Sequence, residues 1–144
     1  MRQPFTHADT VTTTSASPAP DSGLQNPSEG IDVTVIIVNY NVREFLQQAV
    51  ASVYRAKGAL RVEVIVVDNN SVDGSADSIR ANYPDARLIQ NTDNIGFGKA
   101  NNQAIRASSG QYLLILNPDT IIQEDTLQTL VDFMRTHPDA GAVG

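Results

Sequence analysis

The sequence predicts an α/β fold: an open, mostly parallel sheet with helices on both faces, preceded by a disordered N-terminal tail. Three observations predict it. Four apolar runs alternate with four stretches of helical period, a pattern that needs parallel strands joined by crossover helices. The first two runs, "VTVIIVNY" (33–40) and "VEVIVVD" (62–68), are nearly continuous in β-branched residues, as strands covered on both faces must be. The turns that follow the four runs are all rich in Asn and Asp, whereas a turn at the other end, such as "RAKGALR", is plain.

Each element has its own justification. Residues 1–30 centre on "TVTTTSASPAPDSG", which has no apolar periodicity and few large hydrophobic residues. Such a segment buries too little surface to offset the entropy of ordering it, so it is assigned as a disordered tail, and residues 31–144 as one folded unit. After the first strand, "NVREFLQQAVASVYRA" carries an apolar stripe of Phe45, Leu46, Ala49, Val50, Val53 and Tyr54. Asn41 has the place of its N-cap, with Glu44 as capping-box partner. "DGSADSIRANY" reads as a short helix that stops before Pro84. "ARLIQ" (86–90) is a third, weaker strand. The loop "NTDNIGFG" leads into a helix over "KANNQAIRASS", with Gly110 placed as its C-terminal cap. "QYLLIL" is the fourth strand. Beyond "NPDT", "EDTLQTLVDFMRTH" is a helix with acidic residues in its first turn and Arg135 and His137 at its end, matching the helix dipole. The last residues, "AGAVG", read as the opening of another strand, so the unit is expected to be truncated at its C-terminus.

Composition narrows the chemistry. At 144 residues the chain has room for one domain with a real core. Its net charge of −6 disfavours a nucleic-acid partner, which calls for a basic face. A phosphorylated small molecule remains compatible, because backbone amides and a bound cation can supply local positive charge. There is no cysteine, which excludes disulfides, thiolate catalysis and cysteine-based zinc sites. The only histidines, His7 and His137, lie far apart in sequence and form no metal-binding pattern. No apolar run approaches the ~18 residues needed to span a bilayer, and the N-terminus lacks the charged-then-apolar order of a secretory signal. A soluble intracellular domain is the resulting expectation.

In an open parallel sheet, ligands bind outside the carboxyl ends of the strands. The turns gathered there carry Asn39-Tyr40-Asn41, then 68–75 ("DNNSVDGS"), 91–98 ("NTDNIGFG") and 117–120 ("NPDT"). Any one of these is ordinary turn chemistry; four on one edge point to a site. Asp68 could cap its own turn or accept an N–H from a ligand. Asp73, before Gly-Ser, has the place of a helix N-cap as well as of a ligand contact. Gly96 and Gly98 serve either a turn with positive φ or the close approach of a ligand to a helix N-terminus, where Lys99 could meet a phosphate. Phe97 can pack on its loop or stack on a base. Asn101 and Asn102 are poor helix formers and hint at a hydrogen-bonding role. "GFGKANN" lacks the Lys-Ser/Thr ending of a P-loop, and it follows the third strand, unlike the dinucleotide fingerprint of a Rossmann domain.

"VTVIIVNYN", "VEVIVVDNNSVDGS", "NIGFGKANNQAI" and "YLLILNPDT", in that order, closely resemble the N-terminal, donor-binding half of family 2 glycosyltransferases, most of all the rhamnosyltransferase-like branch. The resemblance covers residues 32–144. It implies a GT-A fold and an inverting, metal-dependent transfer from a nucleoside-diphosphate sugar to a glycan or lipid-linked acceptor. Residue by residue, it implies that Asn39 and Tyr40 border the nucleotide pocket and that Asp68 hydrogen-bonds the base. Asn70 and Asp73 would flank the ribose and base, and Gly96, Phe97, Gly98 and Asn101 would lie on the segment closing over the nucleotide sugar. Asn117 and Asp119 occupy the family's Asp-x-Asp position, which holds Mg²⁺ or Mn²⁺ against the diphosphate. Asn117 replaces the first aspartate, leaving Asp119 as the metal carboxylate of the triplet. The general base that an inverting transfer needs lies, in relatives, beyond the metal motif, so it is expected past Gly144. This chain alone is therefore expected to be inactive. The likeness further implies cell-envelope polysaccharide synthesis in the cytoplasm or at the cytoplasmic face of the inner membrane, with peripheral membrane association through the missing half. A dTDP-rhamnose donor rests on the family likeness alone.

Two other classes compete with this reading. A non-catalytic nucleotide-binding or interaction module would have no need of the missing half. A receiver-like phosphoacceptor would want an acidic pair after the first strand, and Asn39-Tyr40-Asn41 has none.

Overall fold

The computed structural model describes residues 30–144; the tail expected over residues 1–30 lies almost wholly outside the described residues. Eight elements follow one another in strict strand–helix alternation: β1 (Val33–Asn39), α1 (Arg43–Ala56), β2 (Val62–Asp68), α2 (Ser75–Asn82), β3 (Arg87–Gln90), α3 (Phe97–Ala107), β4 (Tyr112–Leu116) and α4 (Thr126–Thr136). The strands pair in the order β3-β2-β1-β4, and every pairing is parallel. This is the predicted α/β fold.

Burial explains the composition of the strands. All of β1 is buried, because it pairs on both sides and is covered on both faces. Its odd-numbered residues Val35 and Ile37 meet Leu46, Val50 and Val53 of α1, Ile79 of α2 and Leu127 and Val131 of α4 in one core. Its even-numbered residues Ile36 and Val38 join Ile65 and Val67 of β2 against Ala100 and Ala104 of α3 in a second. A residue on β1 therefore faces three helices or one, according to parity. Beyond α3, Leu113 and Ile115 of the edge strand β4 stay half exposed.

Several local expectations need correction. Asn41 does not cap α1. It adopts φ 55, Val42 takes the cap position, and no side chain of the same turn caps the helix. Phe45 lies off the buried stripe and is 55% exposed, because the 3.6-residue period turns it away from Leu46 and Val50. α3 starts at Phe97, two residues earlier than predicted, so Gly98 is helical. Gly110 is not the cap of α3, since Ser108 ends that helix in an extended conformation. α4 begins only at Thr126, which places Glu124 and Asp125 before its first turn. Residues 140–144 form no strand; Gly141, Ala142 and Val143 lie along a groove beside Tyr112 and Leu114, without pairing. Two glycines among five residues give little strand propensity when no ladder holds them.

Candidate functional site

The parallel sheet brings all four polar turns to one edge. Asn39 and Asp68 end β1 and β2 as a register pair, and Ile37 opposite Leu116 sets Asn117 to Asp119 beside them. Asp68 and Asp119 thus share a rim.

The turns after β1 and β2 are bonded into one unit. Asn39 Nδ2 donates to Asp68 Oδ1 (2.8 Å) and to Ser71 Oγ (2.9 Å). The Ser71 N–H donates to Asp68 Oδ2 (3.0 Å), and the Asn41 N–H to Ser71 Oγ (2.9 Å). In return the Val72 N–H donates to Asn41 Oδ1 (2.8 Å). Asn41 and Asn70 both adopt left-handed backbone (φ 55 and 67), which asparagine tolerates better than most residues. Asp68 and Asn39 are fully buried beneath this double loop, while Tyr40 and Val72 are exposed on it.

Asp73 links the starts of two helices. Its Oδ2 accepts the Arg43 N–H (2.8 Å), the first orphan donor of α1, from 30 residues away. Its Oδ1 accepts the N–H (3.0 Å) and hydroxyl (2.5 Å) of Ser75 at the start of α2. The formal N-cap of α2 is Gly74, at φ 81, so Asp73 supplies the capping bond from one residue upstream. Burial pushes its carboxyl pKa up, but the bonds from Ser75 and Arg43 outweigh that and hold it below the ordinary value of 3.8. A depressed pKa adds stability that is present above the unfolded-state value and disappears as pH falls through the folded-state value. Asp73→Asn should therefore be less stable at pH 7, by about 1–3 kcal/mol for the lost charged acceptor. The gap to the wild type should narrow below pH ~3.8. Urea unfolding between pH 7 and 2 checks this; a gap independent of pH would contradict it.

The turns after β2 and β3 are joined on the opposite face. Asn91 Nδ2 donates to Asn69 Oδ1 (2.9 Å) and to Gln103 Oε1 (3.0 Å), and Gln103 Nε2 returns a bond to Asn91 Oδ1 (2.9 Å). This amide ladder ties α3 to the rim. Gly96, at φ 83, precedes α3, and its N–H donates to Asn94 Oδ1 (3.0 Å). No side chain caps α3, and Phe97, Gly98 and Lys99 are exposed in its first turn. Asn101 is buried in α3, its Nδ2 donating to Phe97 O (3.0 Å). Asn117 and Asp119 are exposed in a turn closed by the Thr120 N–H on Asn117 O (3.1 Å).

Ser71 and Gln103 were not singled out as site residues from sequence. Ser71 has no distinguishing pattern in a run of turn residues. Gln103 is sequence-remote from the partners it bonds, and only the packing of α3 reveals it. Asn91 belongs to the polar turn 91–98 that the sequence places on the rim, and the pairing of Asp68 with Gln90 is what sets it next to Asn69.

Oxygen donors at the exposed turn suit a hard divalent cation. Asn117 and Asp119 offer a carboxamide oxygen and a carboxylate, and Mg²⁺-type sites need only one or two carboxylates when substrate phosphates and waters fill the rest. Among the described residues no group of three His, Cys, Asp or Glu could hold a metal by itself. No helix among them is long and apolar enough to cross a membrane.

The parallel sheet and its polar carboxyl edge have the arrangement of a ligand-binding α/β domain. The chain belongs to glycosyl transferase family 2: the sequence model of that family matches residues 34–144. An N-acetylglucosaminyltransferase of Bradyrhizobium elkanii is 36% identical over 137 residues, covering 88% of this chain and 75% of that protein. An N-acetylglucosaminyl-diphospho-decaprenol L-rhamnosyltransferase of Mycobacterium tuberculosis is 29% identical, covering 76% of this chain and 39% of that protein. The mannosyltransferase PcManGT of Pyrobaculum calidifontis, solved with GDP-Man and Mn²⁺, superposes with a TM-score of 0.65 at 28% identity, over 76% of this chain and 34% of that one. The chain thus spans most of the first relative and little more than a third of the other two.

Proposed function

We propose that this chain is the donor-binding region of an inverting glycosyltransferase that takes a sugar from a nucleoside diphosphate and passes it to a glycan or lipid-linked acceptor. One observation carries the reading: Asn39, Asp68 and the Asn117–Asp119 turn, far apart in sequence, share the carboxyl edge of a parallel sheet. The family supports it, as do a neighbour solved with a nucleotide sugar and a relative named as a rhamnosyltransferase.

On this reading the double loop over Asp68 receives the nucleoside, with Tyr40 along its border and Asn70 and Asp73 flanking the ribose and base. Gly96, Gly98 and the uncapped N–H groups of α3 face the sugar-phosphate portion, where a helix N-terminus favours negative charge. Asp119, with Asn117, would hold Mg²⁺ or Mn²⁺. Once bound, the cation neutralises charge on the departing nucleoside diphosphate. The acceptor site and the general base belong, on the same reading, to portions of the longer relatives that this chain does not match. The chain by itself is then expected to bind donor and to transfer little. Work at the cytoplasmic side of the envelope, with peripheral membrane contact through those further portions, belongs to the same proposal.

Isothermal titration of the folded chain with UDP, dTDP and GDP, with and without Mn²⁺, tests it. Binding of at least one nucleotide, tighter with the cation, is the expected result. A folded sample that binds none of them would sink the proposal.

A further inference from the structure

Ser52 puts a hydroxyl where the fold asks for an apolar side chain. It lies in the interior of α1, fully buried, on the face that carries Ala49, Val53 and Ala56 into the core. Serine is a poorer helix former than alanine, and alanine would fill nearly the same space with no polar atom to satisfy. The hydroxyl is nonetheless engaged both as donor and as acceptor. It donates to Ala49 O (2.7 Å), and its oxygen accepts the Ile122 N–H (3.2 Å) from 70 residues further along the chain.

Ile122 belongs to the segment 117–125, which joins β4 to α4 and contains neither helix nor strand. The other hydrogen bonds of this segment are local. The Thr120 N–H donates to Asn117 O (3.1 Å). At the far end the Gln123 N–H donates to Thr126 Oγ1 (3.0 Å), and the Thr126 N–H to Gln123 O (3.1 Å). The turn bearing Asn117 and Asp119 is therefore closed on itself and held between two posts. One is Leu116, the buried last residue of β4, in register with Ile37. The other is Ile122, fixed by its bond to Ser52 and by a side chain packed half-buried against the core under α1 and α4. Between the closed turn and this second post stands only Ile121, whose side chain is exposed.

We propose that Ser52 is a positioning residue for the metal-binding turn: its buried oxygen holds the Ile122 N–H and so sets where Asp119 stands on the rim. This rests on the donor-binding reading above and deepens it. The physical step is a restriction of alternatives. Without its acceptor the Ile122 N–H must turn toward water, because a buried amide left unpaired is costly. The segment then samples arrangements in which Asp119 is displaced. A cation that needs this carboxylate is bound only by the fraction of molecules that keeps it in place.

Calorimetry on the full chain measures nucleotide affinity with and without Mn²⁺, using whichever of UDP, dTDP and GDP the wild type binds tightest. The proteins compared are the wild type, Ser52→Ala and Val53→Ala. Val53→Ala opens a cavity in the core next to Ser52 without touching the bond to Ile122, so it reports loss of stability alone. Ser52→Ala should lower the Mn²⁺-dependent gain in affinity by about tenfold, the contribution of one hydrogen bond to the placed turn, with cation-free affinity unchanged. Val53→Ala should keep the gain. Amide hydrogen exchange gives a readout that needs no ligand. In Ser52→Ala the Ile122 N–H should exchange about tenfold faster relative to Ile36 and Ile65, whose amides in the paired strands β1 and β2 report global opening. A full Mn²⁺ gain in Ser52→Ala would overturn the inference while leaving the donor-binding reading intact, since the turn would then keep its place without the bond. An equal loss in Val53→Ala would overturn it too, because the effect would follow stability and not the link. Should Ser52→Ala not fold, as judged by thermal melting, Ser52→Cys, whose sulfur is a weak acceptor, takes its place under the same two outcomes. A wild type that binds no nucleotide, or gains nothing from Mn²⁺, removes the metal position of the parent reading and this inference with it.

Discussion

Replacing Gly110 by alanine should destabilise the domain more than any other single added methyl group among its described glycines. A Cβ there would lie 2.5 Å from the Thr34 backbone nitrogen, 2.7 Å from Thr34 Oγ1 and 2.9 Å from Tyr112 O. Two of these three atoms are backbone in paired strands, so the conflict cannot be relieved by rotating a side chain. The site is also bonded on every side. Gly110 N–H donates to Thr34 Oγ1 (2.9 Å), whose own hydroxyl donates to Glu63 Oε2 (2.6 Å). The same carboxylate oxygen accepts the N–H (2.9 Å) and hydroxyl (3.1 Å) of Ser109. Moving the chain away at Gly110 pulls on all of them and on the β1–β4 ladder. Overpacking of this kind costs about 3 kcal/mol. That corresponds to a fall in melting temperature of more than ~10 °C for a domain of this size. Gly98→Ala is the contrasting case. It has open space around the new Cβ and helical backbone, so it should be neutral or stabilising by up to ~1 kcal/mol. Equal melting temperatures for the two variants would refute the close approach at Gly110.

The sequence showed Gly110 but misassigned its purpose, and the reason is general. Glycine after an amphipathic stretch is ordinary helix punctuation, and nothing local distinguishes it from glycine required by a strand that arrives from 76 residues away. Features set by chain-local physics were legible. The continuous β-branched runs of β1 and β2, the period of α1 and the parallel topology all follow from burial on two faces. The gathering of polar turns on one rim followed from topology alone. Contacts between turns were not legible. Asn41 looked like a cap because the residues after it form a helix, yet that helix is capped by Asp73 from the next turn, which frees Asn41 to hold Val72. Likewise Asp68 stood out as a carboxylate at a strand end, but its burial beneath Asn39 and Ser71 depends on a register no local pattern encodes.

Asp119→Ala should have the opposite profile to Gly110→Ala: large in binding, small in stability. Asp119 is exposed in the turn after β4, so its removal should leave unfolding free energy within about 0.5 kcal/mol of the wild type, as for surface positions generally. On the donor-binding reading it contributes the carboxylate of the metal position, and Asn117 contributes at most a neutral oxygen. Magnesium and manganese are held at such positions largely by charge, with the diphosphate completing the shell. Loss of Asp119 should therefore abolish the gain in nucleotide affinity that Mn²⁺ confers, while cation-free binding changes little. Asn117→Asp supplies the converse. A second carboxylate on the same turn should raise affinity for the cation alone, because the site then depends less on the substrate's phosphates. Titrating Mn²⁺ into the three proteins with and without nucleotide separates these effects. If Asp119→Ala keeps the full Mn²⁺-dependent gain, the cation is held elsewhere, and the turn after β4 serves only to carry the chain from β4 into α4.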